Sequence, residues 1–127
     1  VIQTNLKVIS MRLFLSLLAF GCALATPAAA QRAGTYQVIG SGPDGARYEG
    51  TMTLQSTGAQ TWRVVWRIAG ETSSGVAVSE RGVFAVGYVL GRDVGTALYT
   101  VQPDGSLDGI WTAGTAGGLG REKLTPR

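Results

Sequence analysis

The run Thr61–Ile68 places Trp62, Val64, Trp66 and Ile68 on one face of an extended chain and Thr61, Arg63, Val65 and Arg67 on the other. Period two with one apolar face is the pattern of a strand that packs on a core and meets water behind. The same alternation recurs down the chain. It groups Tyr36 with Val38; Tyr48 with Gly50, Met52 and Leu54; Phe84 with Val86, Tyr88 and Leu90; and Tyr99 with Val101. Leu107, Gly109 and Trp111 come next, and last Glu122 with Leu124. After Gln31 no stretch repeats apolar residues at i, i+3, i+4 and i+7 over three turns, so the domain is expected to be all-β.

Eight strands are expected, near 34–40, 46–55, 60–69, 71–79, 82–90, 95–102, 106–113 and 118–125. The links between them are short, which favours antiparallel neighbours, because parallel strands need crossovers of a dozen residues or more. With no helix to cover a sheet face, an eight-stranded antiparallel up-and-down meander barrel is expected, since closure removes exposed edges. A β-sandwich is the alternative. Two hairpins echo one another: Tyr36-Gln-Val38, Pro43-Asp-Gly45 and Tyr48-Glu-Gly50 match Tyr99-Thr-Val101, Pro103-Asp-Gly105 and Leu107-Asp-Gly109. Pro presets the first turn corner, Asp bonds the local backbone and Gly accepts positive φ.

The part before this domain reads as an export signal. Arg12 supplies a positive start after Met11, Leu13–Ala25 is an apolar run, Pro27 breaks any helix, and Ala28-Ala29-Ala30 offers small residues for cleavage. Ala23-Leu24-Ala25 offers a second cut. Residues 11–30 are thus expected to be a signal peptide, 31–127 a single barrel domain, and 1–10 a gene-model extension. The apolar run is short for a membrane span, which needs nearer 20 residues. Cys22 comes after Phe20-Gly21, an ill fit to a lipoprotein site, and is read as part of the apolar run.

Composition then removes several function classes. Lys and Arg number 11 against 8 Asp and Glu, but Lys7 and Arg12 lie in the leader, so the domain is near neutral with its charges mixed. Nucleic-acid binding needs a clustered basic stripe, and that class is set aside. The chain has no His, and its one Cys is in the leader. The domain therefore offers no disulfide, thiol nucleophile or imidazole base. The 19 glycines keep no triplet period, so neither collagen nor disorder is indicated.

Zinc needs Cys, His or a dense carboxylate cluster. Asp44 and Asp104 lack the alternating oxygen ligands of a calcium loop and read as turn formers. No cofactor or metal is expected. Glu49 and Asp108 occupy equivalent places in the two hairpins and form the one carboxylate pair that could support acid–base chemistry. Alternation turns both outward. Glu122 shares the inward face with Leu124, and either pairs with Arg121, Lys123 or another arginine or takes a ligand or catalytic role.

The aromatic residues are the strongest candidates for a binding surface: Tyr36, Tyr48, Trp62, Trp66, Tyr88, Tyr99 and Trp111, with Phe84 beside them. An eight-stranded barrel has an interior just wide enough to be filled or to hold one small ligand. Tyr and Trp suit a pocket because each joins an apolar body to one polar tip. In a domain this small the same rings can instead simply fill the core, and both readings stay open on the sequence.

Gly34-Thr-Tyr36 opening the first strand, the run of hairpins and Arg121 in the last strand resemble a reduced calycin, the superfamily of lipocalins, fatty-acid-binding proteins and avidins. The lipocalin pattern has Trp where Tyr36 stands, and the resemblance implies a basic residue, here Arg121, packed over it. The fuller pattern runs from Tyr36-Gln-Val38 through Trp66 and Asp104-Gly-Ser-Leu-Asp-Gly-Ile-Trp111 to Gly120-Arg-Glu-Lys-Leu124. It is similar to small exported proteins of α-proteobacteria, some labelled fibronectin-binding in genomes. Periplasmic inhibitors of secreted metalloproteases are barrels of similar size, but normally carry a disulfide that this chain lacks. The expectation is a non-enzymatic, exported binding protein, periplasmic or secreted. It would bind a small apolar or amphipathic molecule, or an envelope or extracellular protein, at the barrel mouth. A protease-inhibitor-like barrel with a filled core and a carboxylate-dependent enzyme are the alternatives.

Overall fold

The computed structural model describes residues 31–127. The expected leader at 11–30, Cys22, Lys7 and the segment 1–10 lie outside the described residues. Eight strands run in order: β1 (Gly34–Ser41), β2 (Arg47–Ser56), β3 (Thr61–Ile68), β4 (Glu71–Glu80), β5 (Val83–Leu90), β6 (Asp93–Val101), β7 (Leu107–Ala113) and β8 (Gly120–Pro126). Each pairs antiparallel with its sequence neighbours, and β8 returns to β1 along Tyr36↔Pro126 to Ser41↔Arg121. The result is a closed up-and-down barrel, not a sandwich. Every strand is paired on both sides, so no edge is left to recruit another chain. Among the described residues there is no helix long and apolar enough to cross a membrane.

Turn chemistry explains the connections. Ala69-Gly70 and Arg81-Gly82 join β3 to β4 and β4 to β5 with positive φ at both positions, the two-residue turn whose twist suits a hairpin. Ala69 and Arg81 adopt φ of 53° and 50°, a region that residues with a side chain enter at a penalty. The Pro-Asp-Gly turns form as expected. Asp44 accepts a hydrogen bond from the Ala46 amide at 3.0 Å, and Asp104 accepts from the Ser106 amide at 2.9 Å and hydroxyl at 2.6 Å.

The inward residues are those that the alternation selects. Tyr36, Val38, Met52, Leu54, Val64, Phe84, Val86, Leu107 and Leu124 are fully or almost fully buried. β4 supplies the complement in size. Its inward residues Ser73, Gly75, Ala77 and Ser79 lie opposite Trp66, Val64, Trp62 and Phe84 respectively, small against large. An interior this narrow accepts large rings only where the next strand is thin.

The two ends of the barrel differ. The hairpins β1–β2, β3–β4, β5–β6 and β7–β8 turn at one end; β2–β3, β4–β5 and β6–β7 turn at the other, beside the terminus of β8. The second end is packed shut. Trp62 meets Phe84 edge-on at 6.3 Å, and its indole N–H donates to the Ser79 hydroxyl at 3.0 Å. The Tyr36 hydroxyl donates to the Arg32 carbonyl. Tyr36 is therefore capped by backbone. Arg121 is exposed on the outer wall, opposite Ser41 and Ile110. The expected packing of Arg121 over Tyr36 is not present, because Glu122 takes the inward parity and turns its neighbour out.

Candidate functional site

The first end opens into a cup of about 240 Å³. Its wall is Tyr48 from β2, Trp66 from β3, Tyr88 from β5, Tyr99 from β6 and Trp111 from β7. Ile68, Ala69 and Leu90 rim it with Glu71 and Ser73, Ala97 lies deeper, and Glu122 of β8 supplies the buried acid. Hollows of about 690 and 830 Å³ also lie on the outer wall. The cup is where aromatic rings and a buried charge converge.

A simple pairing rule holds the rings in place. Tyr48, Tyr88, Tyr99 and Trp111 each lie directly across from a glycine on the next strand: Gly40, Gly95, Gly109 and Gly120. A Cβ at any of these glycines would come within 2.1–2.4 Å of the facing ring. The rings therefore lie flat on bare backbone, which draws them back to the wall and leaves the middle of the cup empty. Trp66 and Tyr88 pack at 5.2 Å, and Tyr48 and Trp111 meet edge-on at 6.2 Å. The Tyr88 hydroxyl donates to the Thr112 carbonyl at 3.0 Å, which ties that wall to β7.

Glu122 is 8% exposed. Its Oε1 accepts from the Tyr48 hydroxyl at 2.9 Å; its Oε2 accepts from the Trp66 indole N–H at 3.4 Å and from the Tyr99 hydroxyl. Burial pushes its pKa above the ordinary 4.5, against the pull of the three donors. The tyrosines respond in kind. Burial and then the Glu122 charge raise Tyr48 and Tyr99 well above 10, and push Tyr88 up to about 12. Among the described residues no Lys or Arg lines the cup. The ion pair expected for Glu122 with Arg121, Lys123 or another arginine is absent among the described residues; three aromatic donors from three strands take its place. The Trp111 indole nitrogen is buried without a hydrogen-bond partner among the described residues and lies over Gly120.

Of the seven aromatic candidates named from the sequence, five (Tyr48, Trp66, Tyr88, Tyr99 and Trp111) come together at the cup, and Glu122 joins them. Tyr36 and Trp62 do not; both belong to the closed end, their polar tips already bonded. Ile68, Ala69, Glu71, Ser73, Leu90 and Ala97 complete the lining; the alternation groups Ile68 and Leu90 with the inward rings but names none of the six as a site residue. Glu49 and Asp108 are exposed, and Lys123 and Ile39 stand between them in the ladder. Three strand spacings separate them by roughly 14 Å along the wall, beyond the roughly 5–10 Å at which paired carboxylates cooperate.

The outer wall of β4–β6 is a second feature. Val76, Val78, Val89, Val94 and Leu98 are exposed there, Val76 and Val94 at 71% and 73%. Across the ladders they meet Ala85, Gly87, Ser74, Thr61 and Ile110, with Arg63 opposite Val76 at the border of the patch.

No family model matches the chain, and no curated protein matches it. Among solved structures, similarity is to designed barrels. A redesigned β-barrel aligns with a TM-score of 0.65 at 20% identity, over 75% of this chain and 90% of the other. The redesigned barrel mFAP1, bound to DFHBI, aligns at 0.64 and 20%, over 80% of this chain and 100% of the other. A de novo fluorescence-activating β-barrel aligns at 0.60 and 16%, over 81% and 100%. At these identities the likeness is one of fold.

Proposed function

We propose that this protein is a non-enzymatic binding protein, exported to the cell envelope or beyond, that holds one small molecule in the aromatic cup. The observation that carries the reading is the cup itself. The sheet could have been filled at both ends, yet four glycines draw the rings to the wall and keep a space open around a buried acid. At about 240 Å³ the space falls just below the roughly 300–1,000 Å³ of drug-sized pockets, so the occupant is compact, with one or two rings. The mFAP1 barrel bound to DFHBI supports the idea that a barrel of this shape can carry a ligand. A calycin-like ancestry fits the same picture.

Native mass spectrometry of the protein purified from its own host tests this directly. The expected result is a small added mass that Ser73→Trp removes while the circular dichroism stays unchanged. A bare protein mass in the wild type would contradict the reading. Export rests on the leader. Expressed from Met11 in a bacterium, the protein should carry Gln31 or Thr26 at its N-terminus, and an acylated Cys22 would instead indicate a lipid-anchored form.

A second reading, binding of a protein partner, is favoured by the exposed apolar patch on β4–β6. If that patch is a docking face, Val76→Glu abolishes association with the partner and leaves the cup's ligand bound. Unchanged association would assign the patch no such role.

A further inference from the structure

We propose that the molecule held in the cup is a small organic cation, an ammonium or amidinium group on a compact apolar body. This rests on the ligand-binding reading above and adds the ligand's charge.

The floor of the cup is an acid that no cation among the described residues faces. Glu122 receives hydrogen bonds from Tyr48, Trp66 and Tyr99. The indole N–H can only donate, and with two hydroxyls turned the same way the group is arranged as an acceptor. A carboxylate set this deep is unfavourable unless a positive charge or a proton meets it, and three donors already favour its charged form. Among the described residues no lysine or arginine lines the cup to supply that charge, and Glu71 at the rim adds further negative potential. An anionic ligand, such as a fatty acid, would meet two carboxylates and no cation. A neutral ligand would strip water from the floor and leave its charge without compensation. A cation resolves the floor's deficit on entering.

The walls suit the same guest. Trp66, Tyr88, Tyr48 and Trp111 stand around the space in two edge-to-face or tilted pairs, so ring faces as well as edges look into it. The negative face of such a ring attracts an organic cation, most strongly where water is excluded. Ile68 and Ala97 leave room for the apolar body.

Three probes of one shape separate charge from fit: phenyltrimethylammonium, tert-butylbenzene and benzenesulfonate, titrated into the purified protein with tryptophan fluorescence and calorimetry as readouts. The cation is expected to bind at least about tenfold more tightly than its neutral isostere, and the anion not measurably. Glu122→Gln can turn its one carbonyl oxygen to Trp66 and Tyr99 while its amide N–H donates to the Tyr48 hydroxyl, and should bring the cation and the neutral probe within about twofold of each other. Retained binding of tert-butylbenzene by Glu122→Gln shows that the variant is folded. If the neutral probe binds as well as the cation, or the anion binds best, the charge assignment is overturned while the cup remains a ligand site. If none of the three binds, the ligand-binding reading falls and this inference with it.

Discussion

The β1–β2 and β6–β7 hairpins turn on the same chemistry at opposite ends of the barrel. In each, the glycine of Pro-Asp-Gly donates at 2.9 Å to the residue three back, and the aspartate accepts the amide two residues on. The strands that leave the two turns differ. After Pro103-Asp-Gly105 come Ser106 and Leu107, both buried, sealing that end against Leu124. After Pro43-Asp-Gly45 comes Tyr48, lying across Gly40 with its hydroxyl on a carboxylate supplied by β8. At the closed end the polar tips are satisfied locally, Trp62 by Ser79 and Tyr36 by Arg32. At the open end three tips converge on one acid. One turn geometry thus serves two purposes, stability at one end and a charged cavity at the other.

The largest expected effect lies at the closed end. Phe84→Ala removes a fully buried ring and should cost about 3–5 kcal/mol in urea denaturation. Trp111→Ala, at the half-buried wall of the cup, should cost about 1–2 kcal/mol. Equal losses would mean that both ends are structural core and that the division between them is wrong.

Next comes the acid. Burial raises the folded pKa of Glu122 above its ordinary 4.5, so the folded state binds more protons than the unfolded chain between that value and the folded pKa. Stability is therefore highest below about 4.5 and falls as pH rises through the window. Asp104 has the opposite sign, because its bonds to Ser106 lower its pKa; its contribution is lost only as pH falls below the ordinary carboxylate range. Melting curves from pH 4 to 8 should show the decline in the wild type and a flatter profile in Glu122→Gln. A decline of equal slope in the variant would place its source elsewhere.

The parity of each strand, and hence the list of inward rings, was legible in the sequence, because alternation needs nothing but the chain. Height along the barrel was not. Tyr36 and Tyr48 have the same inward parity, yet one closes the core and the other lines the cup, and only strand direction together with sheet closure separates them. The partners of Glu122 were hidden for a related reason: Tyr48, Trp66 and Tyr99 lie 74, 56 and 23 residues away. Inward glycines were visible at Gly50 and Gly109. That the rings rest on glycines became apparent only with the register, which sets Tyr99 opposite Gly109 and Trp111 opposite Gly120.

Smaller effects sharpen the comparison. Ala69→Asn at the open end and Arg81→Asn at the closed end both relieve a positive φ, and each should gain up to about 1 kcal/mol. Turn strain is local, so the two gains should match. A gain at Arg81 alone would show that the open end is held less firmly in the hairpin geometry. Arg67→Ala, exposed beside buried Trp66, should change stability by less than about 0.5 kcal/mol. A larger loss would give the outer face a structural part that parity denies it.

The three tryptophans report on the two ends separately, since Trp66 and Trp111 line the cup and Trp62 lies in the closed core. Their indole N–H resonances, monitored by NMR while phenyltrimethylammonium or the native ligand is titrated in, test the central claim most directly. The Trp66 and Trp111 signals should shift together and saturate, with Trp62 unmoved. A shift of Trp62 as large as the others, or no movement of Trp66 and Trp111 while ligand binds, would contradict the assignment of binding to the open end.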